Sequence, residues 1–308
     1  MSESGVRAEG SMTPRPSRLR RWAVRLACAL VIAYLVSGLM LAWAQNWLIF
    51  PGAFIHRGPS AQVSAAPGRE LLILHTSDGH RVAAVFGKAL EADSTPRPDC
   101  SLRPTVLFFY GNGDCIKTSL VIFDEFRRLG ANVIVPEYVG YPMSGGKPSE
   151  TGLYATADAA YQYLLSRSDV DPQQIVLVGR SLGGAAAIDL AARHRVAGLA
   201  TISAFTTMDE MARKVMPVFP TGLVLKYHFD NRRKIGSVSC PVFIIHGTQD
   251  SLVPFAMMSQ LAAAAHAPVI QLPVEGADHN DIFLVGGQPM LDEFGKFIES
   301  IHAAAARR

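Results

Sequence analysis

The chain has 308 residues, 49% of them hydrophobic and 18% charged, which excludes a disordered chain and a collagen-like one. That length holds one α/β unit of ordinary size, able to bury its core without disulfides or metals, and excludes two large enzyme domains plus linkers. The net charge of +3 is unevenly placed: residues 1–25 carry six arginines against two glutamates, and the remainder carries 23 basic and 24 acidic side chains. The basic character belongs to an N-terminal arm, so neither a broad nucleic-acid footprint nor zinc-type Cys/His spacing is read here.

From Leu26 to Phe50 there is no charged side chain. The most apolar part, Leu26–Ala44, rises about 1.5 Å per residue and spans roughly a bilayer core. Trp43 and Trp47 stand at its far end, where amphipathic rings favour the membrane interface. The arginines precede it, so the positive-inside rule keeps residues 1–25 cytosolic and delivers the rest outside. A transmembrane signal anchor at 26–47 is the first reading. The alternative is a signal peptide, cleaved after Ala42-Trp43-Ala44 and releasing a secreted domain. A buried helix of the fold is opposed by the neighbouring arginines.

Beyond the anchor, Leu71–His75, the turn Ser77-Asp78-Gly79 and Arg81–Phe86 read as a β-hairpin. Residues 90–103 form a polar, Pro-containing loop. Strands are then predicted at Thr105–Phe109, Asn132–Pro136, Ile175–Val178, Leu199–Ser203, Val242–His246 and Val269–Leu272. Helices are predicted at Ser119–Leu129, Thr151–Ser166, Leu182–His194, Phe255–Ala265 and Leu291–Ala305. Apolar strands that do not alternate are buried on both faces, as a parallel sheet requires. The fold class is therefore α/β, a mostly parallel sheet with an antiparallel N-terminal hairpin. Ala204–Ser239 is too long for a plain connection and reads as a small helical cap. Of the four cysteines, Cys28 lies in the anchor and Cys240 stands apart; Cys100 and Cys115 could bridge in an oxidising compartment, with free thiols as the alternative.

Gly179-Arg180-Ser181-Leu182-Gly183 matches G-x-S-x-G, between a predicted strand and a predicted helix. That context is what a nucleophile elbow needs, with Gly179 and Gly183 relieving a tight turn. Serine requires a base. His279 follows the last strand, and Asp250 follows the preceding one. Ser181…Asp250…His279 is a chain order that such elbows use. His279 would take the Ser181 proton, and Asp250 would hold the other ring nitrogen. Asp278, Asp281 and Asp230 are the alternative acids. His246 reads as a packing or turn residue, His228 as exposed, and Asp158 and Asp189 as solvated helix faces. An oxyanion hole needs two backbone N–H groups. Leu182 supplies one, and the loop Tyr110–Asp114 supplies the other through Asn112 or Gly113.

With these residues in place the chain resembles an α/β-hydrolase, and more narrowly the membrane-anchored α/β-hydrolase-domain group with one N-terminal helix and a short cap. The resemblance runs over most of residues 20–300. It rests on Asn46-Trp47-Leu48-Ile49-Phe50-Pro51, Gly111-Asn112, the loop from Tyr138 to Glu150, Ser203-Ala204-Phe205-Thr206, and the segments around Asp250 and His279. Two positions depart from the pattern: Tyr110 stands where the family usually has His, and Asp278 where a Gly often precedes the histidine. The resemblance implies a catalytic domain over 48–308 with its cap at about 204–239. It also implies hydrolysis of acyl esters or thioesters of small-molecule, lipid or acylated-protein substrates.

Some bacterial relatives are labelled serine aminopeptidases, which keeps a peptidase as the second enzyme reading. A catalytically silent, membrane-bound binding module is the reading from another class, opposed by the intact Ser181, Asp250 and His279. Dehalogenases and epoxide hydrolases want a carboxylate at the elbow, where this chain has Ser181. No cofactor or metal is implied, because a serine mechanism uses protein groups and water.

Overall fold

The computed structural model describes residues 18–56 and 58–307. Most of the predicted basic arm, residues 1–17, lies outside the described residues. The chain divides into two compact units between Ala44 and Gln45.

The first unit is built on helix α1, Arg18–Ile49, whose last turns belong to the second. By length and composition α1 is able to cross a membrane. Leu30, Leu39 and Trp43 are exposed on it. The Ser37 hydroxyl, in mid-helix, donates to the Ala33 carbonyl at 2.8 Å, which satisfies it within the helix.

The second unit begins with the last turn of α1 and the short helix α2, Gly52–Ile55. Strands β1 (Glu70–His75) and β2 (Arg81–Gly87) form the antiparallel hairpin, Glu70 opposite Phe86 and His75 opposite Arg81. After them come β3 (Thr105–Phe109), α3 (Ile116–Arg128), β4 (Asn132–Pro136), α4 (Glu150–Ser166), β5 (Ile175–Arg180), α5 (Leu182–Arg193) and β6 (Gly198–Ile202). Three short helices follow, α6 (Met208–Val215), α7 (Thr221–Val224) and α8 (Asn231–Ile235). The chain closes with β7 (Val242–Gly247), α9 (Ala256–Ala264), β8 (Val269–Val274) and α10 (Ile282–Ala305). The eight strands form one sheet in the order β1-β2-β4-β3-β5-β6-β7-β8. β2 meets β4 antiparallel, and every pairing beyond it is parallel.

Strands β3, β4, β6 and β7 are buried at every position, the continuous apolar runs expected where helices cover both faces. β8 is one of the two edges and is half exposed. Every carbonyl end of β3, β5, β7 and β8 points to the same side of the sheet, so the loops after these strands converge there.

Two helix starts differ from prediction by more than one residue. α3 begins at Ile116, three residues before Ser119, because Cys115 and Thr118 cap it reciprocally, the Cys115 N–H donating to Thr118 Oγ1 at 3.0 Å. A cysteine in that role is not an N-cap signal in sequence. α10 begins at Ile282 and not at Leu291: two helices join across a kink at Gly287, with Pro289 inside, and the Gly/Pro pair hid the first. All four cysteines are free, so Cys100 and Cys115 do not pair.

The predicted cap segment holds α6, α7 and α8. Thr207 caps α6 by accepting from the Glu210 N–H at 3.1 Å. Asp209 and Glu210 in its first turn and Arg213 and Lys214 in its last suit the helix dipole. α8 packs on α5 through Lys234, which pairs with Asp189 at 2.7 Å. Asp189 is thus buried and paired with both Lys234 and Arg193, not solvated as its helical position implies.

Candidate active site

β5 runs straight into the Ser181 turn. Ser181 has φ 51° and ψ −118°, a region that costs a non-glycine residue about 1–3 kcal/mol. Its N–H donates to the Ile202 carbonyl of β6 at 2.8 Å, which holds the turn against the sheet. A Cβ on Gly183 would lie 2.1 Å from the Phe109 carbonyl oxygen, and one on Gly179 would lie 2.3 Å from that of Gly183. Glycine at both positions is what lets α5 begin this close to β3 and β5.

The loops after β7 and β8 bring the other two predicted residues to the serine. His279 Nε2 lies 3.0 Å from Ser181 Oγ, and Nδ1 lies 2.8 Å from Asp250 Oδ2. All three side chains are buried. Asp250 Oδ1 also accepts the N–H groups of Leu252 at 3.0 Å and Val253 at 2.7 Å. Burial pushes the Asp250 carboxyl upward, but hydrogen bonds from His246, His279 and the Val253 N–H outweigh it and hold the group well below the usual carboxylate range. An ionised Asp250 only accepts, so the His279 proton sits on Nδ1 and the Nε2 lone pair faces the Ser181 hydroxyl.

The alternative acids face elsewhere. Asp278 accepts from the Ser251 N–H and hydroxyl and from the His279 backbone N–H. Asp281 accepts the Asp278 N–H, and Asp230 caps α8 and pairs with Arg233. His228 is exposed and pairs with Asp209.

Leu182 begins α5, and among the described residues its N–H reaches no acceptor, whereas that of Gly184 turns back to the Ser181 carbonyl at 2.9 Å. The Tyr110–Asp114 loop lies beside the serine: a Cβ on Gly111 would sit 3.7 Å from Ser181 Cβ. Among the described residues, neither the Asn112 nor the Gly113 backbone N–H reaches an acceptor. Two backbone donors of the predicted kind therefore stand unpaired in the loop beside Ser181.

Three residues at the site have no role in the sequence reading beyond packing or none at all. His246 is wholly buried behind Asp250, its Nε2–H 3.1 Å from the Val253 carbonyl and 3.4 Å from Asp250 Oδ2. Arg180 bridges the loop after β3 and the loop after β8, donating to Asp114 Oδ2 at 2.8 Å and to the His279 carbonyl at 3.1 Å. Glu137, just past β4, is fully buried and accepts from the Tyr110 hydroxyl and, at 3.4 Å, from the Ile116 N–H. Burial drives its carboxyl up to about 7, against those two hydrogen bonds. The sequence signals were a charge inside the elbow motif and an acid closing an apolar strand; neither says which partner it meets. Tyr110 fills the departing position of the family pattern by packing on Tyr138, whose hydroxyl donates to the Tyr110 carbonyl at 2.7 Å.

This sheet order, with a buried serine on the strained turn between β5 and α5, is the architecture of a nucleophile-elbow α/β protein. A profile described as the alpha/beta hydrolase fold matches residues 104–226. An uncharacterized protein of Mycobacterium tuberculosis is 34% identical over 271 residues, 87% of this chain and 92% of that protein. Alpha/beta hydrolase domain-containing protein 17B of Homo sapiens is 34% identical over 221 residues, 70% of this chain and 71% of that one. The chain belongs to the α/β-hydrolase family. Among solved structures, an esterase of Pyrococcus furiosus superposes with a TM-score of 0.62 at 16% identity, over 79% of this chain and 97% of its own. An acetyl xylan esterase from Paenibacillus sp. R4 does so with a TM-score of 0.61 at 14% identity, over 78% and 86%.

Proposed function

We propose that the protein is a serine hydrolase that cleaves carboxylic ester or thioester bonds of acyl or lipid-like substrates. The observation that carries this reading is the continuous contact from Ser181 Oγ to His279 Nε2 at 3.0 Å and from His279 Nδ1 to Asp250 Oδ2 at 2.8 Å. In the forward step Ser181 Oγ attacks the acyl carbon while its proton passes to His279 Nε2. Asp250 stabilises the resulting imidazolium. The tetrahedral oxyanion is met by the Leu182 N–H together with that of Asn112 or Gly113. His279 then gives its proton to the leaving alcohol or thiol, and the acyl group stays on Ser181. Water, deprotonated by His279, repeats the sequence and frees the acid.

The esterase names among the structural neighbours and the exposed apolar side chains of the cap segment, Val215, Val218 and Leu223, support an acyl substrate. In the same reading residues 1–25 are a cytosolic arm, 26–47 a retained signal anchor, and 48–308 a catalytic domain on the extracytoplasmic side.

Labelling with a fluorophosphonate probe, wild type beside Ser181→Ala, in separated membrane and soluble fractions tests this. Labelling confined to the wild type and to membranes is expected. A folded wild type that takes no label would overturn the serine-hydrolase reading, and label in the soluble fraction would overturn the retained anchor.

A further inference from the structure

The chain directly after the long apolar stretch does more than connect. Asn112 Nδ2 donates to the Ile49 carbonyl at 3.1 Å, and the Gly52 N–H donates to the Asn112 carbonyl at 2.9 Å. The Tyr141 hydroxyl donates to that same carbonyl at 2.9 Å. His56 Nε2 donates to the Gly113 carbonyl at 2.7 Å. Gly52 fits so closely that a Cβ there would lie 2.5 Å from the Asp114 carbonyl oxygen, 2.7 Å from that of Asn112 and 2.7 Å from the Tyr141 ring.

A loop containing Gly111 and Gly113 has wide conformational freedom of its own. An oxyanion donor works only when its direction is set before the reaction. A peptide is planar and trans, so its C=O and the following N–H point opposite ways. With the Asn112 carbonyl drawn to Gly52 and Tyr141, the Gly113 N–H is turned away from them. With the Gly113 carbonyl drawn to His56, the Asp114 N–H is turned back, and it reaches the Gly111 carbonyl at 3.1 Å. Two successive peptides of the loop are thereby aimed from outside it. The stretch doing the aiming is itself fastened. Gln45 donates to the Val224 carbonyl at 2.8 Å and accepts from the Lys226 N–H at 2.7 Å, and Asn46 Oδ1 accepts from the Tyr227 hydroxyl at 2.8 Å. Phe50 is buried against Tyr227 and Phe229.

We infer that Ile49–His56 is a positioning element of the active site, holding the Asn112–Gly113 loop in the orientation that receives the oxyanion; this rests on the serine-hydrolase reading above. The prime contacts are the Gly52 N–H and the His56 ring, and the residues that set the loop belong to the exit of the apolar helix.

The test uses the full-length protein in detergent micelles, as wild type, Gly52→Ala, His56→Ala and His56→Gln. Acylation by a fluorophosphonate and steady-state hydrolysis of a p-nitrophenyl ester are measured across pH. Hydrogen exchange is followed in the peptide covering residues 110–116. Loss of one oxyanion donor costs about 10²–10³ in kcat, so a misaimed loop in Gly52→Ala should lose at least about tenfold. KM and the acid limb of the pH profile should stay as in wild type, since Ser181, His279 and Asp250 are untouched. Exchange in 110–116 should quicken. His56→Ala should fall less, and His56→Gln, which keeps an N–H donor, should recover most of the loss. A lesion that merely loosened the fold would move KM and stability and would not be rescued by glutamine.

Gly52→Ala and His56→Ala with wild-type rates and wild-type exchange would overturn the inference. If Gly52→Ala does not fold, the His56 pair decides. A wild type that is never labelled, with exchange in 110–116 still responding to the variants, would sink the serine-hydrolase reading and leave the loop-holding role standing.

Discussion

Arg180 donates from Nη1 to Asp114 Oδ2 at 2.8 Å, joining the residue before the buried serine to the loop after β3. Its second terminal nitrogen, Nη2, reaches the His279 carbonyl at 3.1 Å, so one guanidinium links three chain segments. A planar fork suits that task where a lysine's point charge does not. Arg180→Met should lower kcat about 10- to 100-fold, the scale of an ångström-level misplacement of reacting groups. Arg180→Lys should recover only part. Steady-state ester hydrolysis checks both, and an unchanged Arg180→Met would show the link to be dispensable.

The φ of 51° at Ser181 makes a stability prediction opposite in sign to the activity one. Ser181→Gly removes the side chain that the turn disfavours and should raise stability by about 1 kcal/mol, after the entropy cost of glycine. For a domain of this size that is about 2–4 °C in Tm. Ser181→Ala keeps the strain, so it should abolish turnover at nearly wild-type Tm. Thermal unfolding of the two variants side by side separates strain from chemistry.

Asp250 is held ionised by its hydrogen-bond partners. A depressed folded value means that its stabilising contribution is complete above the ordinary carboxylate range and fades as pH falls through the lowered value. Asp250→Asn should flatten the loss of Tm below about pH 4, where an ordinary aspartate begins to protonate. It should also lower kcat by about 10⁴, because the His279 ring loses the acceptor that selects its tautomer. Near-wild-type turnover would return the acid role to Asp281 or Asp230.

Glu137 runs the other way. Its unperturbed value of 4.5 is driven up to about 7 by burial. Between those two values the folded chain binds more protons than the unfolded one, so stability falls as pH rises. The stabilisation is full below about 4.5 and is lost through about 7. Glu137→Gln, a stand-in for the protonated acid, should remove that slope. Tm measured at pH 5 and pH 8 checks it: the wild type should drop more between the two than the variant. Equal drops would place the origin of the slope elsewhere.

Much of the fold was legible because its signals are local. Unbroken apolar runs such as Thr105–Phe109 and Val242–His246 mark strands buried on both faces, and they fall within β3 and β7. The Gly179–Gly183 motif announced a turn that only glycines can make beside Phe109. The start of α10 escaped because Gly287 and Pro289 interrupt the helical period. Asp189 looked solvated because its partner Lys234 is 45 residues away in the chain and arrives only when α8 packs on α5.

The sequence by itself determined the strand–helix rhythm, the apolar N-terminal stretch and the residue types able to do serine chemistry, since each follows from composition and spacing along a few neighbouring residues. Only the tertiary structure decided which of several aspartates faces His279, that His246 stands behind Asp250, and that Gly52 and His56 hold the Asn112–Gly113 loop. Those choices depend on directed hydrogen bonds between residues as far apart in the chain as Gly52 and Asn112. No local pattern carries that distance, because it is set by how the sheet stacks its strands and where the loops at their ends meet.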